Sequence, residues 1–575
     1  MTAASPARRL GGLLPRRSDW TPARRSAGRD LTAGLIVAVV ALPLALAFGI
    51  SSGLGAQAGL VTAIVAGTLA AVFGGSNLQV SGPTGAMTVV LAPIVARHGA
   101  GGVLMVGLMA GLILLGMAAL RAGRFAALLP TPVIEGFTAG IAVVIALQQV
   151  PAALGVTGPH AEKVWQSAGQ AAVRFAGHPT AAAPAMAVAV AAVMLAGARI
   201  RPAVPFSLIG IVGATLVAEA ASLAVARIGA LPSGLPAPSL GFLDAGAAMA
   251  LLPSALAVAA LAALESLLCA KVADGMSVGE RHDPDRELFG QGVANLAAPV
   301  LGGVPATAAI ARTAVNVRAG ARSRLAALTH AAVLAVIVLA AGNLVGRIPL
   351  AALAGVLLAT TVRMVEVGSL RAIARATRGD GVVLVLTFAV TVVFDLITAV
   401  AVGVALAVVV ALRAVAASGR LDEVPLRSGD GDGGQTAEEQ RLLDEHIVAY
   451  RFDGPLFFAA AHRFLLELSQ VSDVRIVILR MSRISALDAT GAGVLGDAIT
   501  RLEDRGITVL VSGVKAGHDQ ILAALGVAEH LRRDGLVFST TPDAIAYARA
   551  HLRTSGVLPL AGSAEQPRLT PKPST

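Results

Sequence analysis

Apolar positions fall into long runs rather than alternating singly with polar ones. From Leu31 to Leu412, apolar stretches of about 15–22 residues recur, the length of helix that crosses a bilayer core. The pattern predicts spans over roughly 31–50, 54–73, 84–96, 101–121, 131–150, 182–198, 205–226, 248–270, 287–301, 306–318, 323–343, 347–362, 381–394 and 396–413. These are about fourteen segments, an even number, which brings both chain ends to one side of the membrane.

Two segments depart from the pattern. Residues 84–96 follow "FGGSNLQVSGPTGAMTVV" and 306–318 follow "APVLGGVPATAAIARTAV"; both are short and both start after Gly and Pro. Pro83 stands 53 residues after Asp30, and Pro305 stands 54 after Leu251. Interrupted segments at matching places in two halves predict a 7+7 inverted repeat with the substrate site between the halves.

The C-terminal part reads differently. "SGDGDGGQ" (428–435) is a flexible acidic linker. "HIVAYRFDGPLFF" and "VRIVILRMSRISALDATGAGVLGDAITRLEDRGITVLVSGV" alternate β-rich runs with amphipathic helical ones, an α/β pattern. The expected division is a basic tail over 1–29, a membrane domain over 30–415, a linker over 416–443, a small α/β domain over 444–553 and a disordered tail over 554–575.

Composition agrees: 55% hydrophobic and 14% charged residues exclude a water-soluble globule of 575 residues. The formal net charge of +10 does not indicate nucleic acid, because seven arginines against two aspartates gather in residues 7–30 ahead of the first span. That placement puts the N-terminus, and with it the C-terminal domain, in the cytoplasm of a cell-membrane protein. No secretory signal is expected at the N-terminus. The lone Cys269 rules out an intramolecular disulfide and a cysteine zinc cluster, and reads as packing. No metal or cofactor is expected. Aromatic residues are 3%, so helix contacts must rest on Gly and Ala.

Helices that start in mid-membrane expose backbone N–H groups, which is costly in lipid but useful in a central cavity. Two such ends facing each other make an anion site. The candidate contributors are Gly82, Thr84, Gly85 and Ala86 from the first end, and Ala306, Thr307, Ala308 and Ala309 from the second. Arg312 adds a full positive charge one turn deeper; the alternative is an arginine snorkelling to an interface or paired with an acid. Glu265 ends a charge-free run from Ala245 to Leu264 and is a candidate proton carrier, or else a static partner of Arg312 or Lys271. Phe48 either lines the pocket or fills the core. Asp395 reads as structural, Glu135 and His330 as surface or packing, and His160, Glu162 and Lys163 as a polar connection. In "SALDATGAGVL", Asp488 caps a helix and Thr490 offers a hydroxyl where a phosphate would be tolerated.

"GRDLTAGLIVAVVALPLALAFGISSGLGAQAGLVTAIVAG", "GSNLQVSGPTGAMTVV", "TPVIEGFTAGIAVVIALQQ", "LESLLCAKVADGM" and "GQGVANLAAPVLGGVPATAAIARTAVNVRAGARSRLA" resemble, in order, the sulfate-permease (SulP) transporters. The C-terminal part resembles a STAS domain, and the resemblance spans about residues 28–552. It implies core and gate domains with elevator-type movement, and a homodimer. Family pocket positions fall on Phe48 and Arg312, and the acidic coupling position on Glu265. Departures are Leu44 where many relatives have Gln, Ala311 where many have Ser, and Ala489 where phosphorylated relatives have Ser. Positions that hold sodium ligands in the bicarbonate branch are Cys269 and Ile310 here, which favours a proton over sodium.

The expected function is proton-coupled transport of a small anion: sulfate, bicarbonate or a dicarboxylate. A sodium-dependent bicarbonate transporter and an uncoupled anion channel are the alternatives. A membrane-anchored enzyme would need a nucleophile–base pair, metal cluster or phosphate loop, none of which the sequence presents. The STAS part is expected to take a protein or nucleotide ligand.

Overall fold

A computed structural model describes residues 12–124, 130–156, 163–201, 204–232, 234–277, 281–394, 396–418, 420–423, 443–457, 474–527 and 529–557. The chain forms two compact units, residues 1–407 and 408–575.

In the first unit, α1 (Thr21–Ser51) and α2 (Ala56–Phe73) lead into a two-residue strand, β1 (Ser81–Gly82). Helices α3 (Gly85–Ala119), α4 (Thr131–Leu154), α5 (Val164–Gly177), α6 (Ala182–Ile200) and α7 (Phe206–Ala220) follow. The second half repeats the order: α8 (Ala245–Met276), α9 (Pro284–Val300), β2 (Thr307–Ala308), α10 (Ile310–Arg318), α11 (Leu325–Gly346), α12 (Leu350–Met364), α13 (Val367–Ala376), α14 (Arg378–Val393) and α15 (Leu396–Ser418). Each apolar run contains a helix, and nine helices among the described residues are long and apolar enough to cross a membrane.

The spans expected over 84–96 and 101–121 lie on either side of a break in α3 at Gly99, whose φ of +65° and ψ of −170° only glycine adopts without strain. The amphipathic helices α5 and α13 were not foreseen, because they lie between the apolar runs and carry polar residues (Gln166, Gln170 and Arg174; Arg371 and Arg375). They occupy the same place in each half, after α4 and after α12, as the repeat requires.

Packing separates the helices into two bundles. In one, α3 lies on α8 and α9, α2 on α9, and α11 on α1. In the other, α4 lies on α12 and α14, and α12 on α6. Small residues allow the approach: a Cβ on Gly290 would meet the backbone of Gly74, and one on Gly355 the backbone of Ala187.

Asp30 ties the first half to the second. Fully buried in α1, its carboxylate accepts from Arg322 N at 2.7 Å, Ser323 N at 3.1 Å and Ser323 Oγ at 2.6 Å, fastening the turn ahead of α11. Asp30→Asn can keep its oxygen on the two backbone N–H groups but loses the charge and turns its NH2 toward the Ser323 and Ser26 hydroxyls, a loss of about 1 kcal/mol or more. The expected result is a lower melting temperature of the detergent-solubilised protein.

The second unit contains a five-stranded sheet in the order β3 (Arg420–Glu423), β4 (Ile447–Leu456), β5 (Ile476–Leu487), β6 (Thr508–Ser512), β7 (Val537–Phe538). The β3–β4 pair is antiparallel and the others parallel. Strand β5 is buried on both faces: Val477, Leu479 and Met481 pack with Leu495, Ile499 and Leu502 of α16 (Ala489–Asp504). Ile476 and Ile478 pack instead with Ala544, Ala548 and Leu552 of the C-terminal helix, Thr541–Thr554. Its apolar residues therefore run consecutively rather than alternating. Asp488 Oδ1 accepts from Gly491 N at 2.7 Å and caps α16. Asp488→Ala should lower the stability of this unit by about 1 kcal/mol, read as a shift in its urea midpoint.

Candidate anion-binding site

β1 and β2 pair antiparallel, Ser81 opposite Ala308 and Gly82 opposite Thr307, so the two interrupted segments meet. Helix α3 begins three residues past β1 and α10 two past β2, which brings their N-terminal ends together at the crossing. Thr84 caps α3 through Met87 N at 3.4 Å and leaves the amides of Gly85 and Ala86 in the first turn. Ala309, ahead of α10, provides no side-chain cap, so the amides of Ile310, Ala311 and Arg312 stand without intrahelical partners.

This corrects the expected donors on the second side. Ala308 N donates to Ser266 Oγ at 3.2 Å, Ala309 N to Val80 O at 3.0 Å, and Ala306 N to Asn295 Oδ1 at 2.8 Å. Thr307 and Ala308 belong to the strand, and the free helix end lies at 310–312.

Arg312 is 1% exposed, which rules out snorkelling. Its Nη2 donates to Pro83 O across the crossing, and its Nη1 has no hydrogen-bond partner among the described residues. A Cβ on Gly82 would stand 2.6 Å from that Nη1, so glycine is required there for the guanidinium to lie flat against the strand. A carbonyl, not a carboxylate, orients the group, and its positive charge remains available.

Thr84 Oγ1 donates to Glu265 Oε2 at 3.0 Å, while the Thr307 hydroxyl, close to the same carboxylate, donates to Ala262 O at 3.3 Å. Arg312 is within electrostatic reach of it, while Lys271 is exposed. Glu265 is therefore held by a hydroxyl from the α3 side of the crossing, with Thr307 of the other side close by. Phe48 is buried beside the α3 end: a Cβ on Gly85 would come 3.2 Å from Phe48 Cε1 and would overlap Ile145 of α4. Phe48 packs in the core against the first turn of α3.

Sequence reasoning missed the polar side chains that grip the strands. Glu287, Gln291 and Asn295 stand at i, i+4 and i+8 on α9, a spacing that places them on one helix face. The signal was present as a polar stripe in an otherwise apolar run. Ser266 Oγ lies 2.9 Å from Thr307 Oγ1, and Thr313 Oγ1 accepts from Val80 N at 3.0 Å and from Cys269 Sγ at 3.1 Å.

The remaining candidates lie elsewhere. Glu135 accepts from Ser369 Oγ at 3.0 Å, joining α4 to α13. His330 is fully buried in α11. Lys163 Nζ lies 5.9 Å from the centroid of the Trp165 ring. Asp395, His160 and Glu162 fall outside the described residues. Thr490 is exposed in the first turn of α16.

Membrane-crossing helices interrupted by two facing helix ends, with a buried guanidinium between them, define an anion transporter. The chain belongs to the sulfate permease family, whose profile matches residues 28–387; a STAS domain profile matches 442–544. It is 34% identical over 512 residues to a putative sulfate transporter, YvdB, of Bacillus subtilis, covering 87% of this chain and 94% of that protein. It is 31% identical over 497 residues to the bicarbonate transporter BicA of Synechocystis, covering 84% and 88%. Among solved structures, the transmembrane domain of a cyanobacterial BicA matches with a TM-score of 0.61 and 32% identity, covering 65% of this chain and 98% of that one. The murine Solute Carrier 26 family member A9 anion transporter, in the inward-facing state, matches with a TM-score of 0.82 over 96% of each chain; at 18% identity this shows the shared fold alone. The relatives are transporters and not enzymes.

Proposed function

We propose that the chain carries a small oxyanion across the cell membrane together with a proton, by an elevator-type movement of one bundle against the other. The observation that carries this reading is the unpartnered Nη1 of buried Arg312 beside two helix N-termini. Amides and a guanidinium are the donors that sulfate, bicarbonate and dicarboxylate oxygens require. Glu265 is the proton carrier: it is partly exposed and bound through the Thr84 hydroxyl, so it can take up a proton without breaking an ion pair. The strand-holding hydrogen bonds come from α8, α9 and α10, so the site travels with one bundle as core, while α4 and its neighbours form the gate. We assign the protein as a homodimer with both termini in the cytoplasm and the STAS domain as a regulatory module taking a protein or nucleotide.

A sodium-coupled bicarbonate carrier is the second reading. The Glu265 carboxylate with the hydroxyls of Thr84 and Thr307 gathers hard oxygen donors at one point. Uptake of labelled sulfate, bicarbonate and succinate into sodium-free proteoliposomes, with and without an inward proton gradient, tests both. Gradient-stimulated uptake is expected. Uptake that starts only when sodium is added would replace the proton reading with the sodium one.

A further inference from the structure

β1 and β2 pair over two residues each, too short a ladder to fix its own register. Yet the separation of the two helix ends depends on that register. One face of α9 grips the chain ahead of both strands. Asn295 pairs with both backbone groups of Ala306: Oδ1 accepts from its N–H at 2.8 Å and Nδ2 donates to its carbonyl at 2.9 Å. Gln291 Nε2 donates to Ser81 Oγ at 2.7 Å and to Glu287 Oε1 at 2.9 Å. Glu287 in turn accepts from Gln79 Nε2 at 2.6 Å and from Gly75 N at 3.0 Å.

This grip is not an optimum of packing. The side-chain oxygens of Gln79 and Gln291 are buried with no partner among the described residues. Each such acceptor costs about 1–3 kcal/mol, so stability alone does not account for these two amides. These amides act through their N–H groups, on the strands.

We propose that Gln291 and Asn295 are positioning residues that set the spacing of the two helix ends and thereby the affinity for the anion. Neither touches the anion. The inference rests on the crossing being the anion site. Asn295→Asp replaces the donor to Ala306 O with a second acceptor, and Gln291→Met removes both donations while keeping length and volume.

The test measures KM and maximal rate in proteoliposomes, using whichever of labelled sulfate and bicarbonate the wild-type chain takes up, with melting temperatures alongside. For Asn295→Asp, KM should rise about tenfold, with maximal rate within about twofold of wild type, the size of one misplaced hydrogen bond. Gln291→Met should raise KM in the same direction, and it decides alone if the Asn295 variant does not fold. Lost stability by itself would lower the amount of active protein and leave KM unchanged. Wild-type KM in the folded variants overturns the positioning role. Arg312→Ala in the same assay separates the two ideas: if it keeps wild-type KM, the site reading fails rather than the grip.

Discussion

Arg312→Ala should abolish anion binding, with a fall in affinity of about 100-fold or more, equivalent to roughly 3 kcal/mol for a buried charge-assisted contact. Among the described residues, the guanidinium is the one full positive charge at the crossing, and its Nη1 lacks a protein partner. The helix ends contribute partial charge and N–H donors, but a buried anion without a counter-charge pays its desolvation largely unopposed. Arg312→Lys should recover part of the loss. An ammonium keeps the charge, yet it cannot hold Pro83 O and an anion in the same fixed fork. Equilibrium binding of labelled sulfate and bicarbonate to purified protein measures both variants. The alanine variant binding as wild type does would remove Arg312 from the site.

Glu265→Gln should separate anion movement from proton movement. The glutamine oxygen can still accept from Thr84, so the crossing keeps its shape, but it cannot exchange a proton. Anion-for-anion exchange should persist within about threefold of wild type, whereas stimulation by an inward proton gradient, about tenfold for one decade of proton activity, should vanish. A Glu265→Gln protein that accumulates anion in response to a pH gradient as the wild type does would end the proton role. Loss of exchange together with accumulation would show Glu265 to be part of the anion pocket instead.

Much of this site was legible in the sequence because its chemistry contradicts its surroundings. Gly82, Pro83 and Arg312 stand out against apolar runs, and the matching places of Pro83 and Pro305 mark the two halves. The α/β pattern of the C-terminal part likewise follows from the strand 476–487 and the capped helix after Asp488. What escaped was pairing. A two-residue strand has no periodicity to detect, so Thr307, Ala308 and Ala309 read as the start of a helix although Thr307 lies in the strand and the amides of Ala308 and Ala309 are spent on Ser266 and Val80. Gln291 and Asn295 were passed over because hydropathy averages a polar face with the apolar face behind it. Helices α5 and α13 were lost for the opposite reason: lying outside the apolar runs, they have no spanning length.

The most direct test of the central claim is to locate a heavy oxyanion. Selenate is a sulfate analogue whose selenium is identified by anomalous scattering in crystals of the full chain. A single selenium is expected about 4 Å from Arg312 Nη1, one hydrogen bond plus one selenium–oxygen bond away, flanked by the amides of Gly85, Ala86, Ile310 and Ala311. Selenium bound elsewhere in residues 1–407, with the Arg312 guanidinium unoccupied, would contradict it.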